Sequence, residues 1–187
     1  MDRLRTTIAI TAMAICTTLL ATAPNEPASA YKLLNCKFPT STLNWQDSMT
    51  TSGYSTVARN SVAAWYATKT PLVLTRVTSG ANFRLTNGNY GNTDFDGITY
   101  RTCNSDGYNV KAPISWLNTY HTDAYSVAKR QDVMVHEVGH ALGLDEFGAR
   151  SCTNVPIMQP DTPTRYDACL LTTPRNDDVN GIHEMYG

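Results

Sequence analysis

The stretch HEVGHALGLDE, residues 136–146, constrains this chain more than any other. In a helix, positions i and i+4 lie one turn apart on one face, so His136 and His140 can aim both imidazoles at one point. Zn2+ accepts that geometry, since imidazole nitrogen is among its standard ligands. Glu137 stands one position round from His136 and can lean over the same ion without binding it. A general base must stand there to take a proton from an attacking water. The same spacing also fits a surface helix with two solvated histidines, and three features weigh against that reading. Two of the chain's four histidines fall on the spacing. Val138, Ala141 and Leu142 give the helix an apolar side. Gly143, three residues after His140, lets the chain leave the helix abruptly through a positive φ, swinging Asp145 or Glu146 back toward the metal.

The remaining chain supplies a small α+β domain. Residues 55–70 carry Val57, Ala58, Val62 and Trp65 at helical spacing, with Pro71 as the expected stop. PLVLTRV and ANFRL read as strands. Residues 86–109 are dense in Asn, Gly and Asp, so they read as turns around one short strand near 97–102. KAPISWLNTY (111–120) reads as another strand, with Pro113 marking its start or an exposed edge. A helix is expected over 126–142, then an irregular stretch over 144–175. NDDVNGIHEMYG looks like a closing helix with Asp177 and Asp178 in its first turn, where the helix dipole favours acids. This order predicts one α+β domain with a cleft between its sheet part and its loop part.

Residues 1–30 differ in kind. Arg3 and Arg5 precede an apolar run over 8–23, and Ala28-Ser29-Ala30 has the small-x-small form that a signal peptidase cuts after. The expectation is a cleaved secretion signal over 1–30 and a mature domain over 31–187. Four cysteines then remain, Cys36, Cys103, Cys152 and Cys169, which read as two disulfides in an exported protein. Three pairings exist. Cys152 and Cys169 bracket one short segment, so they are expected to pair, leaving Cys36 with Cys103. Lys and Arg number 15 against 16 Asp and Glu, with no block of like charge, so nothing suggests nucleic acid or an anionic membrane as partner.

HEVGHALGLDE resembles the H-E-x-x-H-x-x-G-x-x-(His or Asp) signature of the metzincin zinc endopeptidases. IMQP (157–160) resembles their Met-turn, with Met158 as its methionine. VAAWYATKTPLVLTRV, ISWLN and PRNDDVNGIHEMYG resemble the first helix and strand, the edge strand and the closing helix of the matrixin branch. Small secreted bacterial enzymes of the snapalysin kind share the outline. The resemblance covers most of 31–187. It implies a zincin-type fold with a small mixed twisted sheet, an active-site helix, an irregular C-terminal subdomain and a closing helix. It implies a Zn2+-dependent endopeptidase acting on protein or peptide substrates, with His136 and His140 as ligands and Glu137 as general base.

The departure is Glu146, where the family places His or Asp. Glu146 fits the spacing, and two histidines with one glutamate form a catalytic zinc set in other peptidases. Asp145, one residue early, is the competitor. Relatives often bind calcium, for which the 92–96 turn offers a place, though its acids serve equally as turn formers. Met158 is expected as an apolar floor beneath the imidazoles. Tyr166 lies in the stretch 158–167 expected to wall the substrate pocket, either packing there or donating a hydrogen bond to an oxyanion. By family analogy an extended substrate pairs with the exposed strand around 114–118. A monomer without stable membrane association is expected after the leader is removed. The rival expectation is a secreted binding protein that kept the fold and lost turnover, motivated by the unusual third ligand and by the lack of a recognisable pro-segment.

Overall fold

The computed structural model describes residues 31–148 and 151–187; the expected leader lies outside them. The elements run β1 Lys32–Leu33, β2 Thr42–Asp47, α1 Ser52–Tyr66, β3 Val73–Val77, β4 Phe83–Gly88, β5 Gly97–Cys103, β6 Asn109–Asn118, α2 Thr119–Thr122, α3 Val127–Leu142, β7 Leu144–Asp145 and α4 Asn176–Tyr186. A six-residue π-helical turn, Pro163–Ala168, interrupts the loop before α4. Among the described residues no helix is long and apolar enough to cross a membrane.

The main sheet has the order β3-β2-β4-β6-β5. Its first four strands are parallel and β5 runs antiparallel to β6. Residues two apart along a strand share a face, so Leu43 and Trp45 of β2 and Phe83 and Leu85 of β4 all turn into the core. β2 went unrecognised in the sequence, although T-L-N-W-Q-D alternates in the required way.

Helix α1 packs Val57, Ala58, Val62 and Trp65 inward, as the spacing predicts, and the Trp65 indole N–H donates to the Val135 carbonyl of α3 at 2.9 Å. Its limits differ from expectation at both ends. Thr51 caps the start by accepting from the Tyr54 N–H. The helix stops at Tyr66, before Pro71, because the Thr68 hydroxyl donates to the Trp65 carbonyl and Lys69 turns left-handed at φ 60°.

The exposed strand is a correction. β6 pairs with β4 through Ile114–Asn118 on one side and with β5 on the other, so 114–118 lies inside the sheet. The edges are β3 and β5, and β5 is the open edge that lines the cleft. Pro113 does not start β6, but it lies just before the ladder to β4 begins at Ile114. It falls where the β5 register slips between Tyr100↔Ile114 and Thr102↔Lys111, so its missing N–H interrupts no regular ladder position. Disulfides Cys36–Cys103 and Cys152–Cys169 form, the pairing that the loop spacing suggests. The first joins the N-terminal strap to the end of β5, and the second joins the loop after residue 150 to the end of the π-helical turn.

Candidate metal centre

Helix α3 starts at Ser126, whose hydroxyl caps the Lys129 N–H, and ends at Gly143. Gly143 has φ 113°, and its N–H reaches the carbonyls of Gly139 and His140. A Cβ there would stand 2.9 Å from the Cys36 carbonyl, so the left-handed exit and the close approach of the N-terminal strap both need glycine. Between these caps the helix is buried from Asp132 through Gly139.

His136 and His140 stand one turn apart with ring centroids 4.6 Å apart and planes at 85°. Nδ1 of His136 lies 2.8 Å from the Ile157 carbonyl, and Nδ1 of His140 lies 2.9 Å from the Leu144 carbonyl. A carbonyl only accepts, so each Nδ1 carries the proton and each Nε2 presents its lone pair. Burial holds both imidazoles below their ordinary pKa, which keeps them neutral, the form that binds metal.

After Gly143 the chain forms β7, which pairs antiparallel with β1 through Lys32↔Asp145 and Leu33↔Leu144. Glu146 follows and turns its carboxylate back to within 4.0 Å of His136 Nε2. One donor atom from each of His136, His140 and Glu146 lies within 4.8 Å of the others. Asp145 is not part of that set. Its carboxylate accepts from the Glu146 N–H at 2.8 Å and lies 3.7 Å from Lys32 Nζ. Two neutral imidazoles and one carboxylate, converging with free lone pairs, are a donor set that suits zinc.

Glu137 is buried beside them. Burial pushes its carboxyl up to about 8, against a lowering hydrogen bond from Thr99 and the charge of Arg165. Met158 is buried under α3, where a Cβ on Gly139 would meet its sulfur at 2.3 Å. The missing side chain at Gly139 thus lets the Met-turn approach the helix. Asp178 holds that turn from α4 by accepting from the N–H groups of Ile157, Met158 and Arg175. The sequence shows Asp178 only as a first-turn acid; its buried role is tertiary.

A cleft of about 370 Å³ runs past these groups. Its lining includes Asp96, Thr99, His136, Glu137, His140, Glu146 and Arg165. Arg165 escaped the sequence reading. Its guanidinium is 1% exposed and donates to Asp132 at 3.1 Å, to the Gln159 carbonyl and to the Thr162 hydroxyl. A signal existed, because Asp132 sits one turn before His136 on the same helix face, so burying the histidines also buries its carboxylate, which then needs a cation.

Tyr166 lies away from the cleft lining, with its hydroxyl 3.3 Å from Ser126 Oγ at the start of α3. That is ten residues, roughly 15 Å of helix, from His136. His121 binds the Thr93 carbonyl at 2.9 Å. His183 is exposed, and Glu184 meets the Tyr31 hydroxyl. Of the acids in the 92–96 turn, Asp96 accepts from the Tyr125 and Thr162 hydroxyls, both at 3.3 Å.

Comparison with known proteins gives one family: the matrixin family model matches residues 41–187. No curated protein matches the chain.

Proposed function

The chain belongs to the matrixin family, and from that premise we propose that it is a secreted zinc-dependent endopeptidase. The observation that carries the reading is the convergence of His136, His140 and Glu146 donor atoms within 4.8 Å, beside the buried carboxyl of Glu137. His136 and His140 through Nε2 and Glu146 through its carboxylate would hold the metal. When bound, zinc supplies Lewis acidity that polarises the scissile carbonyl and acidifies water. Glu137 takes a proton from the attacking water and returns it to the leaving amine. Met158 serves as the apolar floor that keeps the imidazoles from shifting.

An extended peptide would add to the open edge of β5, hydrogen-bonding through its backbone, with side chains falling alternately into the cleft and into solvent. Residues 1–30 would be a cleaved leader and 31–187 the catalytic domain, released to an oxidising compartment that suits both disulfides.

The test is to purify the chain, count bound zinc, and follow cleavage of an unstructured protein with and without chelator, beside Glu137→Gln. One zinc per chain and chelator-sensitive cleavage are expected, with turnover falling roughly 10²–10⁴-fold in Glu137→Gln while zinc stays bound. Stoichiometric zinc without Glu137-dependent cleavage would instead favour a binding protein that kept the fold.

A further inference from the structure

In β5, Gly97 and Thr99 lie two residues apart on the face turned toward α3. Thr99 Oγ1 is 2.7 Å from Glu137 Oε2, and also 2.9 Å from both the Glu137 backbone carbonyl and Ser115 Oγ. Ser115, fully buried on β6, has its own Oγ 3.1 Å from that carbonyl. A hydroxyl carries a single proton. The arrangement that serves every acceptor has Ser115 donating to the backbone carbonyl and Thr99 donating to the carboxylate. Gly97 complements this, since a Cβ there would stand 2.8 Å from Glu137 Oε1. One carboxylate oxygen is therefore held by a hydroxyl, and the other occupies space that only a glycine leaves open.

We infer that Thr99 is a positioning residue for Glu137, fixing Oε2 so that Oε1 is the oxygen presented to the attacking water. The inference rests on the peptidase reading above. The final torsion of a glutamate side chain is broad and roughly two-fold. Without a fixed partner the carboxylate swings, and neither oxygen stays aligned for proton transfer. Because Thr99 belongs to the open edge strand, one side chain also ties the base to the element along which a peptide would lie.

The experiment compares Thr99→Val, which keeps the shape and removes the hydroxyl, with Thr99→Ser, which keeps the hydroxyl. Thr99→Val should lower kcat about tenfold, part of the 10²–10⁴ that a positioned base contributes, with KM and zinc content unchanged. Thr99→Ser should restore most of that loss. A crystal structure of metal-free Thr99→Val should show the Glu137 carboxylate turned from its position in the wild type. Unchanged kcat, an effect on KM alone, failure of the serine to rescue, or an unmoved carboxylate would each overturn the inference. If the wild type cleaves nothing, the peptidase reading fails by itself, and the crystal comparison alone decides whether Thr99 positions Glu137.

Discussion

His136 and Glu146 face each other across 4.0 Å, yet they are held in opposite ways. His136 is 4% exposed in the middle of a sixteen-residue helix. Its Nδ1 proton is taken by Ile157, whose own N–H is taken by the buried Asp178. Each link is a hydrogen bond sealed from water, where an unmade partner is costly. The side chain of Glu146 is 50% exposed. It follows a strand of two residues, and the neighbouring hydrogen bonds are the Asp145 cap on its N–H and Phe147 N–H to the Met158 carbonyl. One side of the candidate centre is therefore rigid and the other compliant. A compliant carboxylate can adjust its reach to the metal, because a half-exposed loop can shift while a packed helix cannot.

This contrast yields graded expectations. His136→Ala should cost the most, lowering zinc affinity by more than the roughly 10–100-fold that changes outside the direct ligands cost, as read by competition with a chromophoric chelator. Glu146→Ala should lie below it, at about 100-fold, because water can replace an exposed carboxylate. Equal losses from the two variants would erase the distinction.

The rigid side should also show in the pH dependence of the metal-free protein. His136 has its folded pKa lowered from 6.5, so its contribution is present above pH 6.5 and lost as pH falls below it. The stability margin of wild type over His136→Gln should shrink by up to about 1.4 kcal/mol per pH unit in that range, measured by urea unfolding. Glu137 has the opposite sign. Its folded pKa is raised from 4.5 to about 8, so its contribution is present below 4.5 and lost as pH rises through 8. Metal-free Glu137→Gln should gain on wild type across that window. The smallest effect is expected from Asp145→Ala, which removes the cap on the Glu146 N–H and a partly exposed ion pair with Lys32 and should weaken zinc by less than about tenfold.

The same division governs what could be read from the sequence. The rigid side is local: two histidines, a glutamate and an apolar stripe at helical spacing, closed by Gly143, place α3 within one residue at its start and at the same end. The closing helix is local too. Distant partners were illegible. Whether β5 or β6 forms the open edge depends on which strands β4 and β6 choose, and ISWLN reads the same in either place. The buried Arg165–Asp132 pair joins residues 33 apart, and Asp178 reaches back 20 residues to Met158. Thr99 is an ordinary strand residue until the fold brings Glu137 against it. The motif spacing favours Glu146 over Asp145, but the pairing of β7 with β1 that carries Asp145 toward Lys32 is tertiary.

Two imidazoles and the Glu146 carboxylate are expected to bind one metal ion. A crystal structure of the zinc-loaded protein, with anomalous data collected on both sides of the zinc edge, tests this directly. One zinc peak is expected, bonded to Nε2 of His136, Nε2 of His140 and a carboxylate oxygen of Glu146. A zinc peak reached by Asp145 in place of Glu146, or none between the histidines, would contradict it.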